Sequence, residues 1–183
     1  YGLLLLLPVA TIGTVVAGGA LHLIFGGDYD DSARVFQILL WAAPLFLIEN
    51  YATTLLMVER HLRAALLVLG LHLLVTVVAL PTLTRWLAAD GAALAVVLAG
   101  ALGAGFGVWQ LQRLRLPLQI KGFWSMVLGA LAAGAAALFL PLSWPVQALA
   151  GGVVYVALCW LTGVLSPADL AALRAIVVKK TPA

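Results

Sequence analysis

Six long apolar runs, separated by short polar connections, dominate the hydropathy pattern of this chain. Each run has about the 20 residues that a helix needs to cross a bilayer. The runs are uniformly apolar, whereas the strands of a membrane barrel alternate in polarity. A helix also satisfies its backbone hydrogen-bonding groups internally, as a spanning segment must. The pattern therefore predicts an all-α membrane fold with six transmembrane helices, at Gly2–Phe25, Ala33–Met57, Ala64–Leu83, Ala92–Leu111, Phe123–Leu140 and Val146–Leu165.

The segment after the sixth run carries the signals of a further short helix. Ser166 can cap a helix, Pro167 suits its first position, and Asp169 favours the positive end of the helix dipole. Apolar residues follow at helical spacing, and Lys179 and Lys180 lie near the end. We expect a short amphipathic helix on the membrane surface.

The composition agrees with membrane insertion. Of the 183 residues, 64% are hydrophobic and 9% are charged, and the mean hydropathy is +1.14. A soluble domain has about 25% charged residues, so this chain has too few to solvate a surface. The net charge of +3 does not indicate a nucleic-acid partner, because the basic residues lie in the connections between apolar runs.

The basic residues are divided unequally between the two sets of connections. Lysine and arginine accumulate in cytoplasmic loops of membrane proteins. The connections after the second, fourth and sixth runs hold Arg60, Arg63, Arg113, Arg115, Lys121, Arg174, Lys179 and Lys180. The opposite set holds only Arg34 and Arg85, together with Asp28, Asp30, Asp31 and Asp90. This asymmetry predicts a cytoplasmic C-terminus.

Glu49 lies deep inside the second run, beside Asn50, and His72 lies inside the third run. An unpaired acid in hydrocarbon costs at least about 2.5 kcal/mol and often marks function. The turn between these runs is short, so their helices should be antiparallel neighbours. At 1.5 Å per residue, Glu49 lies about 13 Å and His72 about 12 Å from the shared end. We predict that Glu49 and His72 form a pair and that these two residues and Asn50 lie on a substrate or ion pathway. The alternative is that Glu49 and His72 face different helices.

Pro44 interrupts the second run. Proline has no N–H group, so the carbonyl of Leu40 loses its helical donor. The sequence predicts a kink at this point, with a hinge as its candidate function.

The other reactive residue types form no recognisable catalytic or metal-binding set. Asp90 is the only further acid on the side of the Asp28–Asp31 cluster, which is too few for a metal site. Gly103 and Gly107 lie inside an apolar run, where their spacing favours close helix packing rather than a phosphate loop. Cys159 has no histidine near it in the sequence. The sequence thus predicts no enzyme activity, no catalytic residue, no metal and no cofactor.

Two stretches resemble a known transporter family. Pro8-Val9-Ala10, then LIFGGDY at 23–29 and ARVFQIL at 33–39, resemble the "P-x-A … hLFG-x-x-Y … A-x-x-hLxIL" pattern of bacterial lipid-linked oligosaccharide flippases. These flippases, which export O-antigen and other polysaccharide units, belong to the multidrug/oligosaccharidyl-lipid/polysaccharide superfamily. The segment DGAALA at 90–95 is similar to the family's "G-x-x-GAA-h-A" helix start.

This resemblance implies two six-helix lobes around a central cavity, followed by two further helices. Residues 1–111 would be four transmembrane helices of the C-terminal lobe, 112–165 the two additional helices, and 166–183 a cytoplasmic tail. The chain begins within an apolar run and without Met, so we expect a missing N-terminal part that carries the cavity arginines. The substrate would be an undecaprenyl-linked oligosaccharide, moved across the bacterial inner membrane by alternating access among membrane lipids.

Two alternatives stay open at this point. One is a cation-coupled multidrug or metabolite exporter of the same superfamily, with Glu49 as a proton or Na⁺ site. The other is a scaffold subunit that does not transport. A lipid substrate requires lateral openings, a drug exporter requires a closed acidic cavity, and a scaffold would turn Glu49 and His72 towards a neighbouring protein.

Overall fold

A computed structural model of the chain describes residues 2–26, 30–116, 123–139 and 144–161, and these residues are helical apart from short turns. The described helices are α1 (Gly2–Phe25), α2 (Asp30–Leu40), α3 (Ala42–Val58), α4 (Leu62–Arg113), α5 (Phe123–Phe139) and α6 (Trp144–Leu161). The prediction of an all-α fold is confirmed for this part of the chain.

Several of these helices suit a membrane by their length and composition. Among the described residues, four segments are long and apolar enough to cross a bilayer, namely Gly2–Phe25, Ser32–Val58, Leu62–Arg113 and Trp144–Leu161. A shorter apolar helix covers Met126–Ala137. Large apolar side chains such as Leu66 and Leu149 are about two-thirds exposed. An apolar surface of this kind is favourable in lipid and unfavourable in water. The helices therefore indicate a membrane protein, while the count of six crossings stays a prediction.

The second apolar run forms two helices with a break at Trp41. The N–H of Trp41 donates to the carbonyl of Ile38, at 3.2 Å, rather than to the residue four positions back. Pro44, which is buried in α3, has no N–H to donate to the carbonyl of Leu40. The break lies one turn before the proline, as expected when a proline disrupts the preceding turn. The helical hydrogen bonding is therefore interrupted where the sequence predicts a kink, while the bend and its action as a hinge stay predictions.

Helix α4 spans 52 residues but reverses direction at Ala88, whose backbone is not helical (φ 49°, ψ −124°). A Cβ atom on Gly91 would collide with the carbonyl of Leu83, so only glycine fits the inside of this bend. Further along, Gly107 lies beside the side chain of Val68, although these residues would be about 58 Å apart in a straight helix. Helix α4 therefore consists of two antiparallel arms, 62–87 and 89–113, which contain the predicted third and fourth runs.

Two apolar clusters form the core. The first joins α3 to both arms of α4, through Ala52, Leu56, Ala65, Val68 and Leu111. The second joins α1, α5 and α6, through Leu7, Met126, Ala130, Ala133, Tyr155 and Cys159. Helix α2 packs against both α1 and α4, and its Gln37 donates a hydrogen bond from Nε2 to the carbonyl of Thr14, at 2.9 Å. The α3–α4 cluster is the part that positions the candidate site.

Some sequence predictions fall outside the described residues. They concern Asp28 and Tyr29 of the acidic loop, Lys121 of the basic loop, and the tail at 166–183, including Ser166. The domain boundaries after residues 111 and 165 stay predictions.

Candidate functional site

Glu49 lies on the face of α3 that packs against the second arm of α4, where its side chain is only 8% exposed. This close approach depends on glycine. A Cβ atom on Gly103 would lie 2.6–2.8 Å from the carboxyl atoms of Glu49, and one on Gly107 would lie 2.9 Å from the Cβ of Ala52. The predicted role of Gly103 and Gly107 in close packing is confirmed. Gly103 also provides the space that the carboxylate occupies.

The first arm of α4 brings His72 to the same carboxylate. Nδ1 of His72 and Oε2 of Glu49 are 2.9 Å apart, and the His72 side chain is 28% exposed. The two helices are joined by a tight turn and run antiparallel, so residues at similar distances from that turn lie at one depth. The predicted meeting of Glu49 and His72 is confirmed. The role of this pair in transport stays a prediction.

The net charge of the Glu49–His72 pair depends on the number of protons that it holds. An ionised carboxylate can only accept hydrogen bonds, so Nδ1 carries the proton when Glu49 is charged. A charge-assisted bond of this kind is about twice as strong as a neutral one, and it offsets the cost of burying the acid. The pair is neutral overall with either an imidazolium and a carboxylate or two uncharged groups. Loss or gain of one proton therefore changes the net charge of a site that lies between apolar helices.

The pair lies in a groove between α3 and the first arm of α4. The groove has a volume of about 500 Å³ and is lined by Phe46, Glu49, Asn50, Thr53, Leu69, His72, Leu73 and Thr76. Leu73 is 64% exposed and forms part of an apolar rim, and the groove is open rather than enclosed. The Phe46 ring packs at a tilt on the His72 ring, with 5.6 Å between centroids, and limits the movement of the imidazole.

Two threonines complete the polar floor of the groove. Thr53 donates to the carbonyl of Glu49, and Thr76 donates to the carbonyl of His72, each at 2.9 Å. Hydroxyl bonds to the carbonyl four residues back are common in membrane helices. Each threonine follows its partner by four residues, so this spacing could have identified both from the sequence. Phe46 was also missed, and Gly103, which was predicted only as a packing residue, meets Glu49 through the fold of α4.

The other predicted site residues occupy different positions. Asn50 is exposed and lines the groove, while its backbone carbonyl accepts a second bond from Thr53, at 3.1 Å. Pro44 is buried one and a half turns before Glu49 and is not among the residues that line the groove. The structure thus brings Glu49, His72 and Asn50 together, and it places Pro44 where it sets the direction of α3.

The described residues contain no group of three or more His, Cys, Asp and Glu side chains that could hold a metal ion. At the bend of α4, where the two arms meet, Arg34 and Asp90 approach to 3.7 Å. At the other end, Arg60, Arg63 and Arg113 surround a second groove. The charge division seen in the sequence therefore corresponds to opposite ends of the two arms.

Compared with protein-family models, with curated proteins and with solved structures, the chain shows no significant match. Any statement about its function is therefore an inference from its motifs and from the geometry of the Glu49–His72 groove.

Proposed function

We propose that this chain is part of a bacterial inner-membrane flippase, which moves an undecaprenyl-linked oligosaccharide across the bilayer by alternating access. The motif resemblance supports the family. The single structural observation that carries the proposal is the buried Glu49–His72 pair on the floor of an open groove with an apolar rim. No covalent chemistry is involved in this function.

The shape of the groove fits a substrate that is part polar and part lipid. A glycan with its diphosphate needs polar groups, while the polyprenyl chain can stay in the bilayer only if the path is open sideways. The Glu49–His72 pair supplies polar groups, and the exposed Leu69 and Leu73 border the opening. An enclosed cavity would suit a small drug better than a lipid-linked glycan.

The Glu49–His72 pair and the Pro44 kink provide a way to couple protonation to the change in helix direction. A change of one proton alters the net charge of the site, which changes the stability of the groove in its closed and open forms. The break at Trp41 lies two turns before Glu49, where α2 and α3 can change their angle. We propose that protonation of the pair and bending at the Pro44 kink occur together during transport.

The full topology belongs to the same proposal. It includes six crossings, a cytoplasmic C-terminus, and the position of this chain as the last six of fourteen helices. The preceding part of the flippase would supply the remaining helices and the arginines that face the lipid diphosphate.

A second candidate is a cation-coupled exporter of drugs or metabolites, which the buried pair itself favours because such a site can bind a proton or Na⁺. The open groove favours the flippase over this candidate. A scaffold has less support, because Glu49 and His72 face each other rather than an outer surface of the described residues.

Disruption of the gene in the source bacterium tests the proposal. We expect undecaprenyl-linked glycan to accumulate on the cytoplasmic leaflet, and the wild-type gene to restore export. His72→Ala should restore little export, whereas Thr54→Ala, an exposed position of α3 outside the groove, should restore it fully. Normal glycan export combined with drug sensitivity would contradict the flippase and favour the exporter. Normal export without any transport defect would favour the scaffold.

A further inference from the structure

A second groove lies at the end of α4 where its first arm begins and its second arm ends. It has a volume of about 660 Å³, and its lining includes Arg60, His61, Arg63, Gln110 and Arg113. We call it the arginine groove. It is separate from the Glu49–His72 groove, with which it shares no lining residue.

Backbone donors contribute to the arginine groove. Helix α4 begins at Leu62, and the His61 side chain makes no capping hydrogen bond. The first N–H groups of a helix have no acceptor within it, and the helix dipole adds positive potential there. Leu62, Arg63 and Ala64 all line the groove, so their N–H groups and the guanidinium groups favour the same anion.

Gln110 provides an independent sign that a ligand belongs in this groove. The residue is only 6% exposed, and it lines the groove from the second arm. Within the described part of the chain its side-chain amide has no hydrogen-bond partner. Its amide atoms are not among the fully enclosed polar atoms of the described residues, so a ligand in the groove can reach them. A phosphate oxygen in the groove would accept the bond that the Gln110 amide can donate.

Among the described residues, three arginines line the groove, and the acid nearest to them in the sequence is Glu59, next to Arg60. In the ranges that the structure describes, Arg60, Arg63 and Arg113 form no ion pair with a carboxylate. The guanidinium of Arg113 lies over the Trp109 ring, 5.4 Å from its centroid. This stacking positions the guanidinium and leaves its N–H groups, which lie in the guanidinium plane, available to an anion.

The backbone of Arg60 is also unusual. Its φ is 60°, and it ends α3 with hydrogen bonds from Arg60 N–H to Met57 and from His61 N–H to Leu56. Glycine is the favoured residue at this position, because a side chain is strained there.

We propose that the arginine groove binds the phosphate of an anionic phospholipid headgroup. The apolar surroundings favour a lipid over a free anion, since Val58, Leu62 and Leu66 are 60–70% exposed beside the groove and can contact acyl chains. Basic pockets between membrane helices are suited to such headgroups. This inference concerns a structural lipid and does not depend on the transported substrate.

Native mass spectrometry of the full chain in mild detergent tests this proposal. We expect phosphatidylglycerol to bind at least about tenfold more tightly than phosphatidylcholine. Arg63→Gln and Arg113→Gln should each weaken phosphatidylglycerol binding by about fivefold. Arg60→Gly should weaken it similarly without loss of folding, because glycine suits the backbone there. Arg85→Gln is the matched control, since Arg85 lies at the opposite end of the arms and should leave binding unchanged.

Three outcomes would overturn the proposal. Equal binding of the two lipids would show that the groove has no headgroup preference. An equal loss in Arg85→Gln would show that binding follows the total positive charge of the protein rather than the arginine groove. Displacement of phosphatidylglycerol by millimolar inorganic phosphate would show that the groove takes a free anion instead of a lipid headgroup.

Discussion

At the residue scale, three neighbours allow Glu49 to occupy an apolar helix. His72 binds the carboxylate, Gly103 leaves room for it, and Thr53 satisfies the backbone carbonyl of the same residue. An unpaired acid in this position would be strongly unfavourable. His72 and Gly103 both act on the carboxylate, one through a hydrogen bond and the other by leaving space, whereas Thr53 acts on the backbone.

The space at Gly103 can be tested with a matched control on the same helix. A methyl group at Gly103 would press on the Glu49 carboxylate, whereas one at Gly105 has no atom within 4 Å. We expect Gly103→Ala to destabilise the protein by about 1–3 kcal/mol. Gly105→Ala should be neutral or stabilising by up to about 1 kcal/mol, because alanine favours helix. Thermal unfolding in detergent measures both, and a Gly103→Ala protein as stable as Gly105→Ala would contradict the packing.

At the element scale, the apolar runs predicted the helices well because length and uniform hydropathy determine a membrane helix. The pairing of Glu49 with His72 was also predictable, since a short turn fixes the depths of both residues. Two backbone features could not be predicted from the sequence. Ala88 and Arg60 both adopt positive φ and neither is a glycine, so their residue types did not mark the exact positions of the reversal and of the end of α3. Gly103 was predicted as a packing residue, but its contact with Glu49 depends on how α4 folds back.

The kink between α2 and α3 yields a prediction at this scale. Pro44→Ala restores a donor for the carbonyl of Leu40, so α2 and α3 should merge into a straighter helix. Spin labels at the exposed Phe36 and Val58 should then move apart, towards the roughly 33 Å expected for a straight helix. Electron spin resonance measures this distance. Thr54→Ala with the same labels is the control, and an unchanged distance in Pro44→Ala would show that another contact causes the break.

At the scale of the whole molecule, the fold separates the two charge groups that the sequence distinguishes. Arg34 and Asp90 approach each other at one end of the arms, and the arginine groove lies at the other. This separation supports a single orientation for α2, α3 and both arms of α4. The positive-inside rule then predicts a cytoplasmic position for the arginine groove, and this orientation stays a prediction.

Thiol labelling in intact cells checks this orientation. On a Cys159→Ala background, a cysteine at the exposed Ala89 should react with an impermeant reagent from outside. A cysteine at the exposed Glu59 should react only after permeabilisation. The reverse pattern would invert the orientation, and labelling of both positions from outside would contradict a membrane-spanning arrangement of α4.

The transport role of the Glu49–His72 pair is tested most directly by a double-mutant cycle on the rate of glycan export. If the pair acts as one unit, His72→Ala leaves a buried carboxylate without its partner, and Glu49→Gln removes the charge that causes the defect. The double variant should therefore export faster than His72→Ala alone, with a coupling free energy of about 0.5–3 kcal/mol. Additive losses, with the double variant slower than either single variant, would contradict a functional pair.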